Sequence, residues 1–322
     1  MNFIVDKRTE LMSIILALSQ GNEYIEEHFS FDIKDEYRQL LYNHFFKFKN
    51  HKAVALAKQI AKNVEGFCFD NPIRLAFALN KQLKFDGKIE KYLLQELEHE
   101  ELLKEFMSKI VNFAKDSNFE KFYIDNNVYY SSKIEELKKM FNADLFIYEL
   151  QKFLKDKVQD DFFVNIIPML ANANHGFKVN NNNFANIGML SEDFKTINKF
   201  NNGTIHTIIH EFVHNFVNCY TDNNRLLIPD ELRNKLKNMG YGNPISYLND
   251  TIVRAITIRL REKIENIDTQ KFFDIENKFG FVYVKKVYNE LLEYEGQTTS
   301  WKEYIPKLLE SIKEKEENNK TL

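Results

Sequence analysis

The segment from Thr204 to Cys219 constrains this chain most. Ile205, Ile208, Ile209, Phe212, Val213, Phe216 and Val217 recur at helical spacing and form one apolar stripe. Asn201, Asn202, Gly203 and Thr204 supply a turn and a capping residue ahead of it. The helix carries H-E-x-x-H as His210, Glu211 and His214. Residues four apart share a helix face, so both imidazoles can aim at one point along the edge of the stripe. That is the two-nitrogen bite a tetrahedral zinc ion takes. Glu211, one step round, can reach a water in the site without being a ligand, the position of a general base. The plain alternative is a pair of helix-surface histidines, and a five-residue pattern recurs by chance. His99-Glu100 opens another helical stretch in the same way but lacks the second histidine.

Composition is consistent with a folded, helix-rich chain. The 322 residues are 44% hydrophobic, with 29 Phe but only 5 Pro and 10 Gly, so long helices are expected and disorder is not. A formal net charge of −3, with acids and bases interspersed, makes nucleic acid a poor partner. Two cysteines, Cys68 and Cys219, give no disulfide framework. Cys219 falls on the apolar stripe and is expected to be a buried small hydrophobe. No apolar run approaches the roughly 20 residues of a membrane span, so no membrane insertion is expected. The run Met12 to Leu18 has mixed charge before it and no small-residue cleavage site after it. Export is therefore not expected, and a cytoplasmic location is.

The N-terminal half reads as helical. Phe3 to Val5 is a possible short strand, and Arg8 to Ser19 an amphipathic helix with Leu11, Ile14, Ile15 and Leu18 on one side. Further helices are expected around residues 37–45 and 53–64, from Pro72 to Leu79, from Ile89 to Phe113 and from Ile134 to Val158. The pattern changes near Asp160. Phe162 to Leu170 and Asn183 to Leu190 read as strands, with Ala171 to Lys178 a turn and Asn180 to Asn183 a polar loop. Beyond the motif helix, Pro229 and Pro244 each fit a helix start, the second running from Ile245 to about Glu262. Phe272 to Ile312 looks helical, and Glu314 to Leu322 a frayed charged tail. The expected fold is α+β, predominantly α-helical, with a small sheet preceding the H-E-x-x-H helix. The expected division is a mainly helical part, 1–158, and a catalytic part, 159–322.

A catalytic zinc takes three protein ligands and keeps a fourth position for water. The third donor has three candidates downstream, Asp230, Glu231 and Asp250, and spacing does not choose among them. A surface ion pair with Arg254 is the plain reading of Asp250, and a first-turn acid that of Glu231.

Three blocks carry a resemblance. Val5 to Ile15, His210 to Asn218, and Asp250-Thr251-Ile252-Val253-Arg254-Ala255 are similar to blocks of a bacterial domain-of-unknown-function family with a zincin motif. The resemblance spreads over most of the chain and is specific at those blocks. It implies a zincin-like core and a gluzincin-like metallopeptidase, with Zn2+ held by His210, His214 and a carboxylate where Asp250 stands, and a peptide or protein substrate. That family reads Glu-Ser-Leu-Val-Arg-Ala at the third block, so Asp250 is one methylene short of the expected glutamate. Arg254 could orient the carboxylate from behind. The mechanism implied is amide hydrolysis with Glu211 moving the proton, and His175, Tyr241 or Tyr247 stabilising the oxyanion. Two other readings stand beside it: a helical binding module with a structural or decayed metal site, and a metallohydrolase acting on a non-peptide bond.

Overall fold

A computed structural model describes residues 1–31, 35–171, 173–189, 200–221 and 224–319. In chain order the elements are β1 (Asn2–Ile4), α1 (Lys7–Ser19), α2 (Glu23–His28), α3 (Glu36–Phe45), α4 (Lys52–Asn63), α5 (Asn71–Ala76), α6 (Lys91–Leu97), α7 (Glu100–Asp116), α8 (Phe119–Asp125), α9 (Asn127–Met140) and α10 (Ala143–Leu154). There follow β2 (Asp161–Ile167), β3 (His175–Val179), β4 (Asn182–Gly188), α11 (Asn202–Thr221), α12 (Asp230–Asn238), α13 (Pro244–Glu265), α14 (Thr269–Phe279), α15 (Val284–Glu295) and α16 (Trp301–Asn319). The protein is thus α-rich with one small mixed sheet. It forms two compact units, Met1–Phe141 with Asp161–Ile208, and Asn142–Asp160 with Ile209–Leu322. A unit boundary does fall at Asp160, where the pattern changes. The strands after it nonetheless group with the N-terminal helices, so the units do not follow the 158/159 division.

The first unit holds the sheet, in the order β1-β2-β4-β3. β1 pairs parallel with β2, β2 parallel with β4, and β3 antiparallel with β4. β3 lies where a turn was expected. Its His-Gly-Phe-Lys-Val sequence alternates weakly, and its pairing comes from a tight return through Asn180, which sits at φ 54°. β2 ends before Pro168, which cannot donate to a ladder. Leu190, the expected end of the second strand, lies outside the described residues. Buried amides tie the sheet to α1: the Asn165 side-chain amide donates to Thr9 Oγ1 at 3.0 Å and Asn186 Oδ1 at 2.8 Å.

α1 departs from its expected one-sided character. Met12, Ser13, Leu16 and Ala17 are buried together with Leu11, Ile14 and Ile15, whereas Leu18 is only half-buried. α1 packs on α4, α5, α7 and β2, so the core of this unit surrounds it. Its polar residues go inside with partners. Glu10 accepts from Tyr37 Oη at 2.7 Å, and the Ser13 hydroxyl donates to the Glu10 carbonyl.

Several expected helices are shorter than read. The stretch from Ile89 to Phe113 breaks at Glu98, which takes φ 53° between α6 and α7. The helix opened by Pro72 ends at Ala76. The stretch from Ile134 to Val158 is two helices, with Asn142 capping the second by accepting from Leu145 N. In the second unit, Gly280 at φ 105° ends α14 and Gly296 ends α15, dividing the region from Phe272 to Ile312 into three helices. α16 continues to Asn319 through the expected tail, whose last three residues lie outside the described set.

The second unit is built on α13. Asn243 caps it by accepting from Ile245 N, and Pro244 occupies its first turn. Tyr247, Leu248, Ile252, Val253, Ala255, Ile256, Ile258 and Leu260 are all buried along it, against α10, α14 and α15. Phe146 of α10 stacks on Phe212 of α11 at 5.6 Å, and Trp301 Nε1 donates to the Phe216 carbonyl at 2.8 Å. Among the described residues no helix is long and apolar enough to cross a membrane.

Candidate metal centre

α11 begins as its sequence dictates. The Thr204 N–H donates to Asn201 Oδ1 and the Asn201 N–H to Thr204 Oγ1, at 3.2 and 3.1 Å, so the two residues cap the first turn reciprocally. Burial then follows Ile205, Ile209, Val213, Val217 and Thr221, a line of i, i+4 steps. Cys219 lies about 200° round from Val217, which explains why it is exposed and not buried as expected. The stripe narrows to a single line in the last two turns and leaves the thiol outside.

The histidines of α11 converge. His210 Nε2 and His214 Nε2 are 3.1 Å apart. Asp250 of α13 comes to the same point, with Oδ1 3.1 Å from His210 Nε2 and 3.7 Å from His214 Nε2. Among the described residues these three form the one His/Cys/Asp/Glu group able to hold a metal ion. Of the three carboxylates left open by spacing, Asp250 is thus the one brought to the histidines. Asp230 and Glu231 are exposed on α12, where Asp230 pairs with Arg233 at 2.6 Å. His99 is exposed at the start of α7.

The donor spacing suits a small cation. Bonds of about 2.0–2.1 Å to nitrogen and oxygen give a tetrahedron with edges of about 3.3 Å. The three separations here, 3.1, 3.1 and 3.7 Å, bracket that edge. His214 Nδ1 faces Asn218 Oδ1 at 3.1 Å, an acceptor that favours the tautomer with its hydrogen on Nδ1 and the Nε2 lone pair toward the cluster.

Burial and charge set the protonation. Burial is the largest influence on Asp250 and would raise its pKa, but the Arg254 guanidinium and the hydrogen bond from His210 hold the carboxyl well below the ordinary range. Burial also acts most strongly on His210, downward, and is outweighed by the hydrogen bond to Asp250 and by the charges of Asp250 and Glu211. His214 is lowered to about 4, by burial first and then by the charge on His210. The cluster is therefore one anionic oxygen and one neutral imidazole lone pair arranged around the proton of His210. That is the donor chemistry of a cation pocket. Glu211 is buried, at 7% exposure, beside His210.

Behind the donors stands a second set of groups. Arg254 Nε donates to Asp250 Oδ2 at 2.8 Å, and its Nη1 to Glu276 Oε2 at 2.6 Å. The guanidinium lies 4.0 Å over the Phe281 ring and 5.8 Å from that of Tyr241. Burial, followed by the charge of Asp250, raises the Tyr241 hydroxyl's pKa. Tyr247 donates its hydroxyl hydrogen to the Gly280 carbonyl at 2.9 Å. His175 belongs to the first unit, where its Nε2 meets Tyr24 Oη at 3.2 Å. Sequence reasoning missed Asn218, Glu276 and Phe281. Asn218 was legible, four residues after His214 on the same face. Glu276 and Phe281 reach Arg254 only through tertiary packing, which no local pattern announces.

A family model described as a domain of unknown function, DUF4932, matches residues 1–311. No curated protein and no solved structure matches the chain.

Proposed function

The chain belongs to DUF4932, a family of domains of unknown function, and from that premise we propose that it is a zinc-dependent metallopeptidase with a zincin-like core of the gluzincin type. The observation that carries this is the convergence of two histidine nitrogens and the Asp250 oxygen at tetrahedral spacing, beside the buried Glu211. Two histidines and one carboxylate are a catalytic donor set, and a structural zinc site is normally closed by a fourth protein ligand.

His210, His214 and Asp250 would hold the ion. When bound, zinc supplies a Lewis acid and brings the pKa of a water down to about 7. Glu211 would take the proton of the attacking water and deliver it to the leaving amine. Asn218 would keep His214 in the tautomer whose Nε2 faces the site. Of the donors considered for the oxyanion, Tyr241 is favoured, because its hydroxyl senses Asp250 while that of Tyr247 is given to Gly280.

The test is a pair of measurements on one variant. Glu211→Gln should retain zinc and lose about 10²–10⁴-fold in peptide turnover. Full metal with undiminished turnover would reject Glu211 as the base. A zinc-loaded protein that cleaves no member of a peptide library would reject the peptidase reading in favour of another amide or non-peptide bond.

A further inference from the structure

We propose that Glu276 is a positioning residue for this centre: acting through Arg254, it leaves Asp250 a single oxygen, Oδ1, to offer a cation. The inference rests on the reading of His210, His214 and Asp250 as metal donors, and concerns how the third donor is held.

A guanidinium beside a lone carboxylate commonly takes both oxygens through two parallel bonds. Arg254 does not. Its Nε donates to Asp250 Oδ2, and its Nη1 is held by Glu276 Oε2. Asp250 and Glu276 are both buried, each at 2% exposure, on α13 and α14. The Phe281 ring lies against the guanidinium at 4.0 Å. The Nη1 bond to Glu276 and the Phe281 ring against its plane anchor the guanidinium, and in that position it reaches Asp250 through Nε, at Oδ2. Oδ1 is therefore left to face His210 and His214.

Charge points the same way. Alone with Arg254, Asp250 would be neutralised. With Glu276 included, two carboxylates share one guanidinium, and a net negative charge remains beside the two imidazoles. A cation then completes the cluster.

The experiment compares zinc affinity, by chelator competition, in the full-length wild type, Glu276→Gln and Arg254→Lys, with apo-protein melting temperature measured alongside. Both variants should bind zinc about 10–100-fold more weakly, and the visible spectrum of the cobalt-loaded protein should change in Glu276→Gln. A Glu276→Gln protein with a wild-type apo melting temperature, wild-type zinc affinity and an unchanged cobalt spectrum would overturn the inference while leaving the metal site intact. Should both variants fail to fold, X-ray absorption at the zinc edge of the wild type decides: Asp250 contributing one oxygen supports the inference, and two oxygens overturn it. A wild type whose zinc uptake is nil, or is unaffected by His214→Ala, overturns the metal-site reading itself and the inference with it.

Discussion

His210 Nε2 stands 3.1 Å from Asp250 Oδ1, although α12 and the break from Gly240 to Pro244 intervene in the chain. Neither residue could be placed there by local preference. The contact exists because α13 is buried on most of its faces and carries Asp250 inward with them.

Asp250→Ala should abolish high-affinity metal binding and also destabilise the apo-protein. The substitution removes one of the two carboxylates that satisfy a buried guanidinium. Since Glu276 remains, the cost should be about 2 kcal/mol, less than the roughly 3–5 kcal/mol of a wholly stranded charge. Chemical denaturation of the metal-free variant measures it, and an unchanged midpoint would contradict the pairing.

Glu10 should make stability fall with pH. Burial raises its pKa from 4.5 to about 7, against the opposing hydrogen bond from Tyr37 and the charge of Arg38. The folded chain thus holds this proton to higher pH than the unfolded chain does. The contribution is fully present below about pH 4.5 and is lost as pH rises through about 7, a change of roughly 3 kcal/mol. Glu10→Gln should flatten this part of the profile, so that the variant gains on wild type as pH rises from 4.5 to about 7, the interval in which the folded chain holds a proton that the unfolded chain has lost. A stability difference independent of pH would show that Glu10 titrates normally.

Gly188→Ala should cost about 3 kcal/mol, at the upper end of overpacking penalties. A Cβ there would lie 2.4 Å from the Leu170 carbonyl oxygen, a backbone atom that cannot swing away. Differential scanning calorimetry of the variant checks this, and a melting temperature equal to wild type would refute the close approach.

The two thiols should react differently in the folded protein. Cys219 is exposed on the last turns of α11, while half-buried Cys68 has its thiol pKa raised by burial and by the charge of Asp70. A thiol reagent should label Cys219 first. Equal rates, or a faster Cys68, would contradict that arrangement.

The motif helix was largely legible in the sequence because its signals are local: the Asn201–Thr204 cap, the apolar line and the i, i+4 histidines. The same local logic misplaced Cys219, since the stripe of seven apolar residues gave way to a single buried line at its end. α1 misled in the other direction. The helix was expected to bury one side, but Glu10 finds Tyr37 and the hydroxyls of Thr9 and Ser13 find backbone carbonyls, so these polar residues go inside as well. The break at Glu98 uses a left-handed residue with no glycine or proline to mark it. β3 owes its existence to pairing with β4 more than to its own weak alternation. Choosing Asp250 over Asp230 and Glu231 needed either the resemblance of the Asp250–Ala255 block or the fold itself. The carboxylate at the end of the Arg254 fork needed the fold.

The most direct measurement is the zinc content of the purified full-length chain, determined by elemental mass spectrometry for wild type and for His210→Ala, His214→Ala and Asp250→Ala. The wild type should hold close to one zinc per chain, and each variant should lose tight binding. A wild type that takes up no zinc, or three variants that bind it as the wild type does, would contradict the metal-site reading.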